Sequence, residues 1–170
     1  MNVNQQYPLA QVMEVKERRV DEAQKVLKEK IALLEKENEK LKERERDRDK
    51  AKTHMRDKLT QLRAEMDHGT SIPKIQQMKA YLKICQEKVV IEEKKVVDQM
   101  KQVETAKNAV EAARQELAKK QLEVDKIKTH KQEWLKEKRK EEEIEEGKQM
   151  DEVGTVIFLT RKRLNASSNS

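Results

Sequence analysis

The feature that most constrains this chain is a pair of apolar rows, three residues apart, that repeat every seven residues through its second half. Ile75, Leu82, Val89, Val96, Val103, Val110, Leu117 and Val124 form one row. Met78, Cys85, Ala106, Ala113, Ile127 and Trp134 belong to the other, which Glu92, Gln99 and Lys120 interrupt. Apolar residues at this repeat keep one narrow stripe of a helix turned toward a partner helix, which is the seam of a left-handed coiled coil. The first half carries Met13, Val20, Leu27, Leu34, Leu41, Met55 and Leu62 at the same repeat, with Arg48 intruding. Its second row, Ala23, Ile31, Asn38, Leu59 and Met66, is ragged. Composition points the same way: 42% of the residues are charged and 2% aromatic, with Gly 3 and Pro 2 in 170 residues. A chain so poor in bulky and turn-forming residues builds neither a three-dimensional core nor a sheet of short strands. The predicted fold class is all-α, with no enclosed active site.

One strong punctuation mark interrupts the helical pattern, His68-Gly69-Thr70-Ser71-Ile72-Pro73. Gly69 suits the left-handed position that closes a helix, Ser71 is a good N-cap, and Pro73 in a first helical turn sacrifices no needed hydrogen bond. So short a loop between two helices makes them antiparallel neighbours. The expectation is a single elongated hairpin over 1–170: helix 1 over about 6–67, a turn at 68–73, helix 2 over about 74–152, and an apolar then basic tail at 153–170. Facing positions then sum to about 141, since a short turn pairs residues symmetrically about itself. That register sets Arg48 against Glu92 and Glu93, so the polar interruptions coincide, and it sets Tyr7 against Trp134. A buried polar layer of this kind fixes register at some cost in stability. The agreement favours a monomeric hairpin over a parallel dimer.

Net charge is +6 with a pI near 9.2, but the charges are finely interleaved. KERERDRDKAK (42–52) alternates in sign, and KEKRK (136–140) runs into EEEIEE (141–146). Opposite charges a helical turn apart screen one another, and no aromatic row is available for stacking bases, so no nucleic-acid partner is expected. The longest apolar run, Val156-Ile157-Phe158-Leu159, is far below the roughly 20 residues of a membrane span. Without a secretory leader pattern the chain reads as soluble and cytoplasmic.

Chemistry is thin. The 3 histidines, His54, His68 and His130, lack the spacing of a helical zinc pair. Cys85 occupies a seam position as a small buried hydrophobe. The many carboxylates are exposed, so nothing drives their pKa values apart for acid–base work. A glycine-rich phosphate loop is missing. The reading is non-enzymatic, with no cofactor and no metal. Candidate partner-binding residues are Trp134, which ends the seam, Ile144, and the run Val156, Ile157, Phe158 and Leu159. The stretch 153–160 is apolar and β-branched, consistent with a strand, a frayed helix end or a docking segment.

The opening, Leu9-x-x-Val12-x-x-Val15-x-x-x-Arg19-x-x-x-Ala23-x-x-Val26-Leu27, and the end, Trp134 followed by a charged helix and Gln149-Met150-Asp151-Glu152, resemble the YscO/FliJ family of type III secretion proteins. The resemblance implies a helical-hairpin component of the export apparatus, cytoplasmic and peripheral to the inner membrane. It also implies partners: the hexameric secretion ATPase, which such proteins enter as a stalk, the export gate, and secretion chaperones that they escort. Two other classes use long helical hairpins. A prefoldin-like chaperone needs β-hairpins for assembly, and a structural coiled-coil scaffold needs pairing between chains.

Overall fold

The computed structural model describes residues 7–168 and contains two helices, α1 (Ala10–Asp67) and α2 (Ile72–Ser168). They pack against each other as an antiparallel hairpin. The reversal between them is built as the sequence dictates. Gly69 adopts φ 75°, and the Gly69 amide donates to the Met66 carbonyl at 3.2 Å while the Thr70 amide donates to that of Glu65 at 3.2 Å. These two bonds form a Schellman closure, which satisfies carbonyls that the helix end leaves without partners. The Ile75 amide then donates to the Ser71 carbonyl at 3.2 Å, so Ser71 opens α2 and Pro73 lies in its first turn.

Two boundaries differ from the sequence reading. α1 begins at Ala10 rather than near residue 6, because Pro8 disfavours helical dihedrals at the residue before it; residues 1–6 lie outside the described residues. α2 does not end near residue 152. It continues through 153–160 to Ser168. β-Branched residues cost only tenths of a kcal/mol each in a helix, and even glycine costs about 1 kcal/mol. Gly147 and Gly154 are therefore carried by their neighbours. The Thr155 and Thr160 hydroxyls donate to the carbonyls of Asp151 and Val156, each at 2.8 Å, which satisfies them inside the helix. Residues 169–170 of the expected tail lie outside the described residues. Among those described there is no strand, so the one segment that read as strand supplies none of the β-hairpin that a prefoldin-like assembly requires.

The hairpin divides into two compact units. One comprises residues 20–119, and the other the residues up to Arg19 together with those from Lys120 onward. In the first, Leu82, Cys85, Val89, Val96, Val103, Ala106 and Val110 of α2 are buried, with Ala51 and Leu62 of α1. Most of the α1 row is half-buried, because a lone partner helix covers only one side of each residue. Among the described residues no side chain is sealed completely from water. Ala51 is the core residue that periodicity missed, since it falls where the second α1 row is ragged. Lys74–Glu65 and Lys52–Glu93, each at 2.7 Å, tie the two helices of this unit together. The Gln99 amide adds bonds to the Glu37 carboxylate at 2.6 Å and to its carbonyl at 3.1 Å. In the other unit, Lys16–Glu123 at 2.5 Å and Glu17–Lys128 at 3.7 Å do the same. All these pairs lie within two helical turns of the expected register.

Several of these contacts carry a pH dependence. The Lys40 ammonium, followed by the Gln99 amide, holds the Glu37 carboxyl below its ordinary value of 4.5. Lys74 does the same to Glu65 and Lys16 to Glu123. A carboxyl whose pKa is lower folded than unfolded contributes stability that is complete above the unfolded value and is lost as pH falls through the folded one. The melting temperature should therefore hold from neutral pH down to the ordinary carboxyl value of 4.5 and decline below it. Circular-dichroism melts check this. The decline should be modest, because these groups are solvated and screened. A melting temperature that rises on acidification would contradict the pairing.

Candidate partner-binding surfaces

Three features of the sequence stand above a solvated coiled coil, and the structure treats each differently. The first is the apolar end of α2. From residue 139 to residue 165 every residue is exposed, including Ile144, Val156, Ile157, Phe158 and Leu159, which are 48–66% accessible. Helical continuation arranges them in a way the sequence reading missed. Met150, Ile157 and Leu164 recur every seven residues, with Val153 and Thr160 three residues on. That spacing repeats the seam pattern in a stretch where α1 supplies no opposite row. The signal was present in the sequence, but the expectation of a helix end near 152 concealed it.

The second feature is Trp134. It is half-buried, and the Tyr7 ring meets it edge-on with centroids 5.6 Å apart. The Tyr7 hydroxyl lies 2.7 Å from His130 Nδ1, and Tyr7 is 6% exposed. Such a ring contact is worth about 0.5–1.5 kcal/mol beyond area burial. Trp134 thus caps the seam rather than standing with Ile144 and the 156–159 run as an exposed anchor. His130, which lies outside the two apolar rows, is part of the cap; the facing register brings it beside Tyr7. Deleting residues 1–9 should expose the indole and shift Trp134 emission to longer wavelength. An unchanged emission spectrum would mean that the cap does not form.

The third feature is the polar layer, and here the pairing differs from expectation. Arg48 pairs with neither Glu92 nor Glu93. Its guanidinium turns to the adjacent Asp49, at 2.9 Å. Glu93 is taken by Lys52 at 2.7 Å and Glu92 by Lys95 at 2.8 Å. The reason is reach. Lys52 lies on the flank of the seam with a flexible stem, and Lys95 is one turn from Glu92 on the same helix, so both carboxylates are served before Arg48 is needed. Glu92 nevertheless sits in the buried row, 8% exposed, and its Oε2 has no hydrogen-bond partner. An orphaned buried polar atom costs about 1–3 kcal/mol.

An open groove of about 400 Å³ runs beside this layer, bordered by Ala51, His54, Cys85, Lys88 and Glu92. Among the described residues no cluster of His, Cys, Asp or Glu could hold a metal ion, and no helix is long and apolar enough to cross a membrane.

Comparison with known proteins accords with this geometry. The family model described as YscO-like protein matches residues 4–164. Among solved structures, a YscO homolog from Chlamydia trachomatis, CT670, is similar to this chain with a TM-score of 0.86 and 45% identity, over 93% of this chain and 98% of that one. No curated protein matches the sequence. Fold, register and sequence therefore agree that the chain belongs to the YscO-like family, which is associated with type III secretion.

Proposed function

We propose that the protein is a non-enzymatic component of the type III export apparatus that acts through protein–protein contacts, as a stalk of the secretion ATPase hexamer, an escort of secretion chaperones, or both. It works in the cytoplasm, peripheral to the inner-membrane export machinery, where the export gate is a further partner. The observation that carries this reading is the end of α2, helical yet exposed along its length, with Ile144 and Val156–Leu159 among many charges. A contiguous apolar patch on a soluble chain marks an interaction site. A helix whose seam lacks a partner is built to be received by a ring or a groove, and hydrolysis is left to the partner.

Truncation after Glu137 tests this. The seam ends near Trp134, so the truncated chain should keep the melting transition of the hairpin yet bind the secretion ATPase at least about tenfold more weakly, a loss of about 1.4 kcal/mol. Thr70→Gly in the turn should leave binding unchanged. Pull-down with purified ATPase at two salt concentrations reads both, because exposed charge contacts are screened by salt. Undiminished binding by the truncated chain, or failure of the turn variant alone, would overturn the assignment of the binding end. No binding by the full chain to any secretion ATPase would overturn the stalk reading itself.

A further inference from the structure

The unit formed by residues 20–119 carries a second surface that the seam does not explain. On α2, Ile84 and Ile91 are seven residues apart, 59% and 54% exposed, at a heptad position that in a two-helix coil faces water and is normally polar. Beside Ile84, α1 and α2 enclose an open groove of about 440 Å³ floored by Ala80, Tyr81 and Met78, with Lys58 at its rim. The groove is firmly shaped. The Tyr81 hydroxyl lies 3.1 Å from His54 Nε2, the two rings meet edge-on at 6.1 Å, and the Lys58 ammonium stands 5.9 Å from the Tyr81 ring centroid. His54, through its contact with Tyr81, adjoins a second groove, which it borders together with Lys50, Lys88, Lys95, Asp47 and Glu92.

The charges bordering these two grooves are unbalanced. Lys95 is engaged by Glu92 and Lys50 by Asp47, the latter only at 4.0 Å. Lys58 meets a glutamine and a ring face but no carboxylate, and Lys88 meets no carboxylate among the described residues. An apolar floor at heptad spacing between two antiparallel helices is shaped for a third helix. A rim of unneutralised ammonium groups selects one with carboxylates flanking its apolar stripe.

We infer that this surface, formed by the groove of Lys58, Tyr81 and Ile84 together with Lys88 and the exposed Ile91 beyond it on α2, is a docking site for an acidic amphipathic helix of another protein, separate from the exposed end of α2. A second copy of this chain fits poorly. Its own exposed apolar stripe at 150–160 is followed by Arg161, Lys162 and Arg163, which the lysine rim repels, and its acidic run at 141–146 has Ile144 as its one apolar residue.

The probe is a synthetic helical peptide with leucine at heptad positions a and d and glutamate at e and g. Its counterpart carries lysine in place of each glutamate. Binding of each labelled peptide to the full chain is read by fluorescence anisotropy. The acidic peptide should bind at least about tenfold more tightly than the basic one. The double variant Ile84→Ser, Lys88→Glu should lose that binding by at least about tenfold while its circular-dichroism melt stays unchanged, since both side chains are exposed. Phe158→Ser, on the other surface, should leave the peptide affinity as it was, so failure here and failure of the ATPase reading are distinguishable. Equal affinity for the two peptides, no binding by either, or insensitivity to the double variant would overturn the inference. So would concentration-dependent self-association that the same double variant abolishes, because the occupant would then be a second copy.

Discussion

Val103→Asp should abolish most of the cooperative melting of the hairpin, while Val97→Asp, six residues earlier on the same helix, should leave it nearly intact. Val103 is 5% exposed in the centre of the buried α2 row and Val97 is 50% exposed on its flank. Burying a valine side chain contributes about 1.5–3 kcal/mol, and a carboxylate in its place adds the cost of an unpaired charge taken from water. Residual water access along a two-helix seam moderates that second cost, so the total is about 3–5 kcal/mol. Domains of this size are stable by only about 5–15 kcal/mol. The melting temperature of the Val103 variant should therefore fall steeply, whereas an exposed substitution changes stability by about 0.5 kcal/mol or less. Similar melts for the two variants would contradict the placement of the seam.

The opposite sign is expected at Glu92. Glu92→Leu should stabilise the protein by about 1–3 kcal/mol, because it removes an orphaned buried oxygen and fills a seam position with apolar volume. The lost pair with Lys95 offsets little, as that ammonium is 45% exposed and such pairs are worth about 0–1 kcal/mol. Replacing a buried charged group by a well-packed apolar one commonly stabilises by this amount. Denaturant titration measures it, and a loss of stability would mean that Glu92 is satisfied by a contact the geometry does not reveal. Register should survive the change. Lys52–Glu93 and the Gln99–Glu37 bonds hold the two helices of that unit together without Glu92.

The sequence made the hairpin legible because one physical constraint dominates it. A heptad seam names its own core, and Leu82, Val89, Val96, Val103, Val110 and Val124 are buried as that repeat requires. The turn was equally readable, since Gly69 is where a positive φ was needed. The cap of Tyr7 on Trp134 followed from register alone. Side-chain choices within the polar layer were not legible. Heptad position sets Arg48 opposite Glu92 and Glu93 but does not decide which cation each carboxylate takes; the competing lysines on the flanks do. The fate of 153–160 was obscured for a related reason. Local β-branched character argued for strand, but a helix already running loses less by continuing than by leaving backbone groups without partners. That continuation is what exposes Met150, Val153 and Ile157 along one helical stripe, and with it the surface on which the functional reading depends.

The proposed contact is between the secretion ATPase and the exposed end of α2, rather than the turn. It is tested most directly by placing a photo-reactive phenylalanine analogue at Phe158 or at Thr70 of the full chain and irradiating each with the assembled ATPase hexamer. Phe158 is 66% exposed, and Thr70 lies in the turn between α1 and α2. The account predicts a covalent adduct with the ATPase from position 158 and none from position 70. An adduct from position 70 alone, or none from either position while the ATPase still co-purifies with the chain, would contradict it.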